Sequence, residues 1–75
     1  MVRAYIFILT EKAQSAEAAV AIRALPYVTR ADVITGQFDA IAFVEAPELG
    51  MLWTIVDKVQ AAPGVTKTTT NLVVE

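Results

Sequence analysis

The stretch Ile34-Thr35-Gly36-Gln37-Phe38-Asp39 lies near the middle of the chain, between two apolar runs. Gly36 adopts a positive φ at little steric cost, as a tight hairpin turn requires. The residues before this stretch follow the order strand, helix, strand, and the residues after it repeat that order. The stretch therefore predicts a hairpin between two βαβ halves, and we expect this loop to face a ligand. Residue chemistry alone favours a simpler alternative, in which Gly36 only makes the turn and Asp39 is a solvated strand residue.

Apolar periodicity predicts four strands and two helices. Ser15 or a neighbour is expected to cap the first helix, which Pro26 ends because the residue before a proline avoids the helical region. Pro47 suits the first turn of the second helix. The predicted strands cover residues 2–9, 27–35, 38–45 and 65–74, and the helices cover residues 14–25 and the segment that opens at 46–48 and stops at 62–64.

An internal sequence repeat supports this arrangement. Segments 25–30 and 62–67 share the pattern small or apolar residue, Pro, any residue, Val, Thr, base, each between a helix and the following strand. Two right-handed βαβ crossovers joined by a hairpin give an α+β, ferredoxin-like βαββαβ sandwich. We therefore expect a four-stranded antiparallel sheet with both helices on one face, and a charged edge strand over 27–35.

The first predicted strand is apolar on both faces, and this implies cover on both sides of the sheet. Helices of the same chain can cover only one face, so a second subunit is the simplest cover for the other. The chain has 75 residues, 56% of them hydrophobic, and it contains no cysteine or histidine that could staple a small core. We expect a face-to-face homodimer of the dimeric α/β-barrel type.

Several function classes find no support in the composition. The net charge is −2 and the six basic residues are scattered, which argues against direct nucleic-acid binding. No apolar run approaches the roughly 20 residues of a membrane span, so a cytoplasmic location is the default expectation. Without His and Cys, and with only three glycines, no catalytic pair, metal site or phosphate-binding loop is indicated. We expect no enzymatic activity, no cofactor and no metal.

Binding of a zwitterion is better supported. The Asp39 carboxylate suits an ammonium group, while the Thr35 hydroxyl, the threonines at 68–70 and main-chain groups at the turn suit a carboxylate. The alternative for the threonines is that they only follow strand propensity. Trp53 is either an interface anchor or, more commonly for an amphipathic helix, a core residue.

A set of short motifs in a fixed order resembles the effector-binding module of the Lrp/AsnC (feast/famine) transcriptional regulators, also called the RAM domain. The family pattern runs roughly Thr/Ser-Gly-x-Tyr/Phe-Asp, a helix, Pro-Gly-Val, and Thr-x-Thr before an apolar end. The matching segments here are residues 35–39, 47–49, 63–65, 68–70 and 72–74. The resemblance covers essentially the whole chain, and it implies one ligand-binding domain over residues 1–75.

This resemblance implies dimers that join through their sheets, assembly of dimers into octamer-like rings, and amino-acid binding between dimers. The implied ligand-binding residues comprise the hairpin, the start of the second helix and the last strand. They are Thr35, Gly36, Gln37, Phe38, Asp39, Leu49, Asn71 and Leu72.

The chain departs from the full-length family pattern in beginning directly at the first strand, without a helix-turn-helix segment. It therefore resembles the stand-alone members, which are expected to sense amino acids or to co-assemble with full-length regulators. Two alternatives stay open: a structural adaptor without a small ligand, and a small enzyme of the dimeric α/β-barrel type, because a fold does not fix a function.

Overall fold

A computed structural model describes residues 1–74; residue 75, the end of the expected domain, lies outside the described residues. The elements follow the predicted βαββαβ order, which confirms the expected fold class. They are β1 (Val2–Thr10), α1 (Ser15–Arg23), β2 (Val28–Val33), β3 (Ala40–Ala46), α2 (Leu49–Gln60) and β4 (Val65–Leu72).

The four strands form one antiparallel sheet in the order β2-β3-β1-β4, which is the ferredoxin-like arrangement. β1 lies in the middle, where Tyr5 pairs with Phe43 of β3 on one side and with Asn71 of β4 on the other. β2 and β4 are therefore the edges. β2 is the expected charged edge strand, since it carries Arg30 and Asp32 and its register shifts between Val28 and Arg30.

The core lies between the sheet and the two helices. Alternate residues of β1, namely Ala4, Ile6 and Ile8, are fully buried, and Ile22 of α1 and Leu52 of α2 are buried with them. The residues between them on β1 point to the other face, where Tyr5 is 45% exposed. The helices thus cover one face of the sheet, and no described residue covers the other, which we call the open face.

Both helices begin differently from the sequence prediction. Of the expected caps, Ser15 or a neighbour, the N-cap position falls to the neighbour Gln14, which follows Ala13 with φ +65° and makes no side-chain hydrogen bond. α2 begins at Leu49 rather than at 46–48. β3 continues to Ala46, which pairs with Val2 in the ladder, so Pro47 precedes the extended N-cap Glu48 instead of entering the helix.

Two glycines offer a matched test of this backbone. A Cβ at Gly64, whose φ is +80°, would lie 2.7 Å from Cβ of Gln14, whereas a Cβ at Gly50 would meet nothing closer than 3.8 Å. We expect Gly64→Ala to lower the free energy of unfolding by about 1–3 kcal/mol. Gly50→Ala, in helical backbone, should raise it by about 0.4–1 kcal/mol. Urea unfolding at one fixed protein concentration measures both, and equal effects would contradict the described loop.

Candidate functional site

The Ile34–Asp39 segment is a six-residue loop rather than the predicted two-residue turn, because β2 ends at Val33 and β3 begins only at Ala40. The Ile34 N–H donates to the Asp39 carbonyl oxygen at 2.9 Å and closes the loop at its base. Gly36 has the predicted positive φ, at +110°, and space around it is open. Thr35, Gly36 and Gln37 are exposed at the tip, where they are accessible to a ligand or to another chain.

Asp39 is anchored to β1 through both its main chain and its side chain. Its N–H donates to the Ile8 carbonyl oxygen at 2.9 Å. Its Oδ2 accepts from the Thr10 N–H at 2.7 Å and from Thr10 Oγ1 at 3.3 Å. The simpler expectation of a solvated strand residue is therefore wrong, since one carboxylate oxygen is held by Thr10. The other oxygen, Oδ1, accepts no hydrogen bond from residues 1–74.

Phe38 anchors the loop on its other side. Its ring lies against Phe7 with a centroid separation of 5.1 Å and an interplanar angle of 42°. Phe7 belongs to the open face, so Phe38 extends that apolar surface to the edge of the loop. The base of the loop is thus fixed by Phe38 and Asp39, while its tip stays free of such contacts.

The other three predicted site residues lie far from the loop within one chain. Asn71 pairs with Tyr5 and Leu72 pairs with Ala4, whereas Asp39 contacts Ile8 and Thr10. At about 3.3 Å per residue, these positions are roughly 10–20 Å apart along β1.

Leu49 follows Ala46, which pairs with Val2, so it lies near the end of β1 that is distant from the loop. Asn71 also faces the open side of the sheet with Tyr5, while Leu72 faces the helix side with Ala4. One chain therefore does not bring the eight residues together.

Trp53 is not the core residue that helix statistics favoured. It is 46% exposed, because Leu52, Ile55, Val56 and Val59 fill the core without it. Leu49 precedes Trp53 by one turn on the same flank of α2 and is 47% exposed. Gln60 lies about two turns after Trp53 on the same flank of α2, and its Nε2 donates to Thr68 Oγ1 of β4 at 3.0 Å. This flank therefore lies beside β4. We call the exposed residues Leu49, Trp53 and Leu72 the α2–β4 patch; its sequence signal is a tryptophan displaced from the apolar stripe.

The threonines expected to bind a carboxylate are not gathered in one place. Thr68 and Thr70 pair with Ile8 and Ile6 on the helix side of the sheet, and Thr69 pairs with Phe7 on the open face. The Thr68 hydroxyl already accepts from Gln60. Thr35 lies in the exposed loop, four residues before Asp39.

A hollow of about 310 Å³ lies on the open face and is lined by Tyr5, Arg30, Asp32, Ile41 and Phe43. The ring centroids of Tyr5 and Phe43, two of its lining residues, are 4.8 Å apart. Arg30 Nε donates to Asp32 Oδ2 at 2.8 Å, so the two charges at its rim are paired with each other. The hollow is consequently better suited to apolar groups than to a free ion.

Neither a metal-binding cluster nor a membrane-spanning helix is present among the described residues. Among residues 1–74, no three carboxylates stand close enough together to hold a metal ion. No helix in that part of the chain is long and apolar enough to cross a membrane. Asp32 and Asp39 do not form a pair either, since Asp32 contacts Arg30 and Asp39 contacts Thr10.

The structure is a ferredoxin-like sandwich with an exposed loop between β2 and β3. The family model of the Lrp/AsnC ligand binding domain matches residues 3–75. The chain therefore belongs to this family, as the order of its motifs predicted. The family is one of regulators and not of enzymes.

Solved structures give the same result. The protein TTHA0845 from Thermus thermophilus superposes with a TM-score of 0.93 at 26% identity, over 100% of this chain and 95% of that one. FFRP-DM1 gives 0.90 at 31% identity, over 99% and 100%. AsnC from E. coli gives 0.87 at 24% identity, which shows a likeness of fold; 99% of this chain covers 51% of AsnC. A search of curated proteins found no match.

The Asp39–Thr10 contact predicts a graded effect on stability. Asp39→Ala leaves the Thr10 N–H without its acceptor and should lower the free energy of unfolding by about 1–3 kcal/mol. Asp39→Asn keeps an amide oxygen for that N–H and should cost less than about 1 kcal/mol. As a control, Asp32→Ala removes only an exposed ion pair, with an expected cost of about 0–1 kcal/mol. Chemical unfolding that ranks Asp32→Ala with Asp39→Ala would contradict the assigned contact.

Proposed function

We propose that this chain is an amino-acid-binding regulatory module of the Lrp/AsnC type, which senses amino acids at contacts between copies of itself. The observation that carries the proposal is Asp39 in the exposed loop, with Oδ2 held by Thr10 and Oδ1 without a partner among the described residues. A single oriented carboxylate oxygen beside an accessible loop tip suits the ammonium group of an amino acid. Thr35 and the main-chain N–H groups of Gly36 and Gln37 suit its carboxylate.

The ligand class finds support in a similar protein. The transcriptional regulator NMB0573 from Neisseria meningitidis, 22% identical with a TM-score of 0.84, was solved as a complex with L-Met. The likeness to this chain is one of fold. We extend the amino-acid class, and not methionine in particular, to this chain because Asp39 offers the matching charge.

The separation of the proposed site residues argues for a site between chains. The loop residues Thr35, Gly36, Gln37, Phe38 and Asp39 lie at the end of β1 near Thr10. Asn71 and Leu72 lie three to six residues away along β1, beside Tyr5 and Ala4, and Leu49 lies near the opposite end of that strand. A ligand in contact with both groups must therefore bridge two copies. In this proposal the loop supplies the polar contacts, and the α2–β4 patch of another copy supplies the apolar ones.

The open face supports a homodimer joined sheet to sheet. All six aromatic side chains of the sequence lie outside the buried core, and Tyr5, Phe7 and Phe43 stand together on this face. Arg3 pairs in register with Glu45, and Arg30 contacts Asp32, so the rim carries two charges of each sign. An apolar centre inside a balanced polar rim is the pattern of a self-complementary interface.

The proposal also includes a larger assembly built from these dimers. Dimers would associate through the loop and the α2–β4 patch into an octamer-like ring, and full-length Lrp/AsnC regulators, which have the same kind of domain, would be able to join it. The proposal includes a cytoplasmic location, no enzymatic activity and no direct contact with nucleic acid. One observation favours a second function, an adaptor without a ligand: the Thr10 contact accounts for the position of Asp39 without any bound molecule.

Calorimetry against the twenty amino acids tests the proposed function. We expect at least one amino acid to bind the wild type, and we expect Asp39→Asn to weaken that binding at least about tenfold, because an amide donor replaces the acceptor for the ammonium group. The matched control is Asp32→Asn, the same exchange on the open face, which should leave the stoichiometry and the ligand preference unchanged. Absence of binding by the wild type would favour the adaptor instead.

Light scattering with three variants that add the same charge distinguishes the two proposed interfaces. Phe43→Glu should convert dimers into single chains, because a carboxylate would be buried at the sheet interface. Trp53→Glu should leave the dimer intact and stop its further association. Val20→Glu, on the exposed side of α1, should change neither mass. Circular dichroism of each variant reports whether it is folded, and a wild type that runs as a single chain would refute the assembly.

A further inference from the structure

The carboxylate of Asp39 occupies a place in the sheet that a main-chain carbonyl would normally fill. Arg3 accepts from the Val73 N–H on the β4 side, so by strand alternation the even-numbered residues of β1 direct their main-chain groups toward β3. The last register pair between β1 and β3 is Ile8–Ala40. Beyond this pair the Thr10 N–H has no strand partner, and Asp39 Oδ2 accepts its hydrogen bond at 2.7 Å.

Two features of this contact go beyond supplying one acceptor for the unpaired Thr10 N–H at the end of the strand ladder. A neutral oxygen would satisfy the Thr10 N–H, yet the acceptor is a carboxylate, which brings a second charged oxygen. The Thr10 hydroxyl adds another contact to the same Oδ2, at 3.3 Å. Since both Thr10 contacts fall on Oδ2, and the Asp39 N–H is fixed by Ile8, the side chain holds one orientation in which Oδ1 is the remaining acceptor.

We infer that Thr10 is a positioning residue of the amino-acid site: by committing Oδ2 of Asp39, it fixes Oδ1 as the single acceptor for a protonated amino group. This inference rests on the proposed function and deepens it. It assigns the loop to ligands with a free ammonium group, and it makes the end of β1, which no sequence motif marked, part of the site. A ligand of the same shape without the amino group has no N–H to donate to Oδ1.

The test compares L-methionine with its des-amino analogue by calorimetry, or the corresponding pair for the amino acid that binds most tightly in the screen above. The variants are Thr10→Val, which keeps the shape and the main-chain N–H but removes the hydroxyl, and Thr10→Ser, which keeps the hydroxyl. We expect Thr10→Val to lower the preference for the amino compound about two- to tenfold, the range of one hydrogen bond. Thr10→Ser should keep the wild-type preference, and affinity for the des-amino analogue should not change.

The ratio of the two affinities is the decisive readout, because general loosening of the loop would weaken both compounds alike. An unchanged ratio in Thr10→Val, with binding intact, would overturn the role of Thr10 and leave the proposed function standing. A wild type that binds both compounds equally would refute the ammonium assignment and this inference with it. A wild type that binds no amino acid would overturn the proposed function and, with it, this inference.

Discussion

The register of β1 decides which side chains of the sheet face the helices and which face the open side. β1 lies between β3 and β4, and burial of Ala4, Ile6 and Ile8 against the helices decides which face each of its residues occupies. A slip by one residue would exchange the two faces, so this register is strongly specified. The same register leaves the Thr10 N–H beyond the last pair with β3, and it thereby determines where Asp39 is needed.

The distribution of side-chain size explains why such a domain would depend on contacts with other chains. Seven of the fifteen buried hydrophobic residues are alanines, which remove little apolar area from water, and none of the six aromatic residues is among the fifteen. Five of the six rings stand instead on the open face, in the Ile34–Asp39 loop and on α2, and Tyr27 lies in the connection between α1 and β2. Because a small core stabilises a chain of this length only weakly, burial of those rings between copies is the natural source of further stability.

Local patterns predicted the fold but only part of the candidate site. Alternation in β1 and β3, the helical stripe of α2 and the positive φ of Gly36 are properties of short segments, and the structure confirms them. The start of α2 was misplaced because a ladder contact between Ala46 and Val2 outweighed the preference of Pro47 for a first turn. The Asp39–Thr10 contact joins residues 29 positions apart, so no local pattern could reveal it. Resemblance gave positions along one chain, and it could not show that the loop lies three to six residues along β1 from the positions of Asn71 and Leu72.

A site divided between two copies has a thermodynamic consequence that a site within one chain lacks. A ligand can shift an equilibrium only through its different affinity for the two states. If the loop of one copy and the α2–β4 patch of another both contact the amino acid, the associated state binds it and the separate chains do not, so ligand binding and assembly stabilise each other. Asp39 would link the fold of the chain to this equilibrium, because the carboxylate that meets the ligand also binds Thr10 at the end of β1. Such a domain would then report a metabolite through the size of its own assembly.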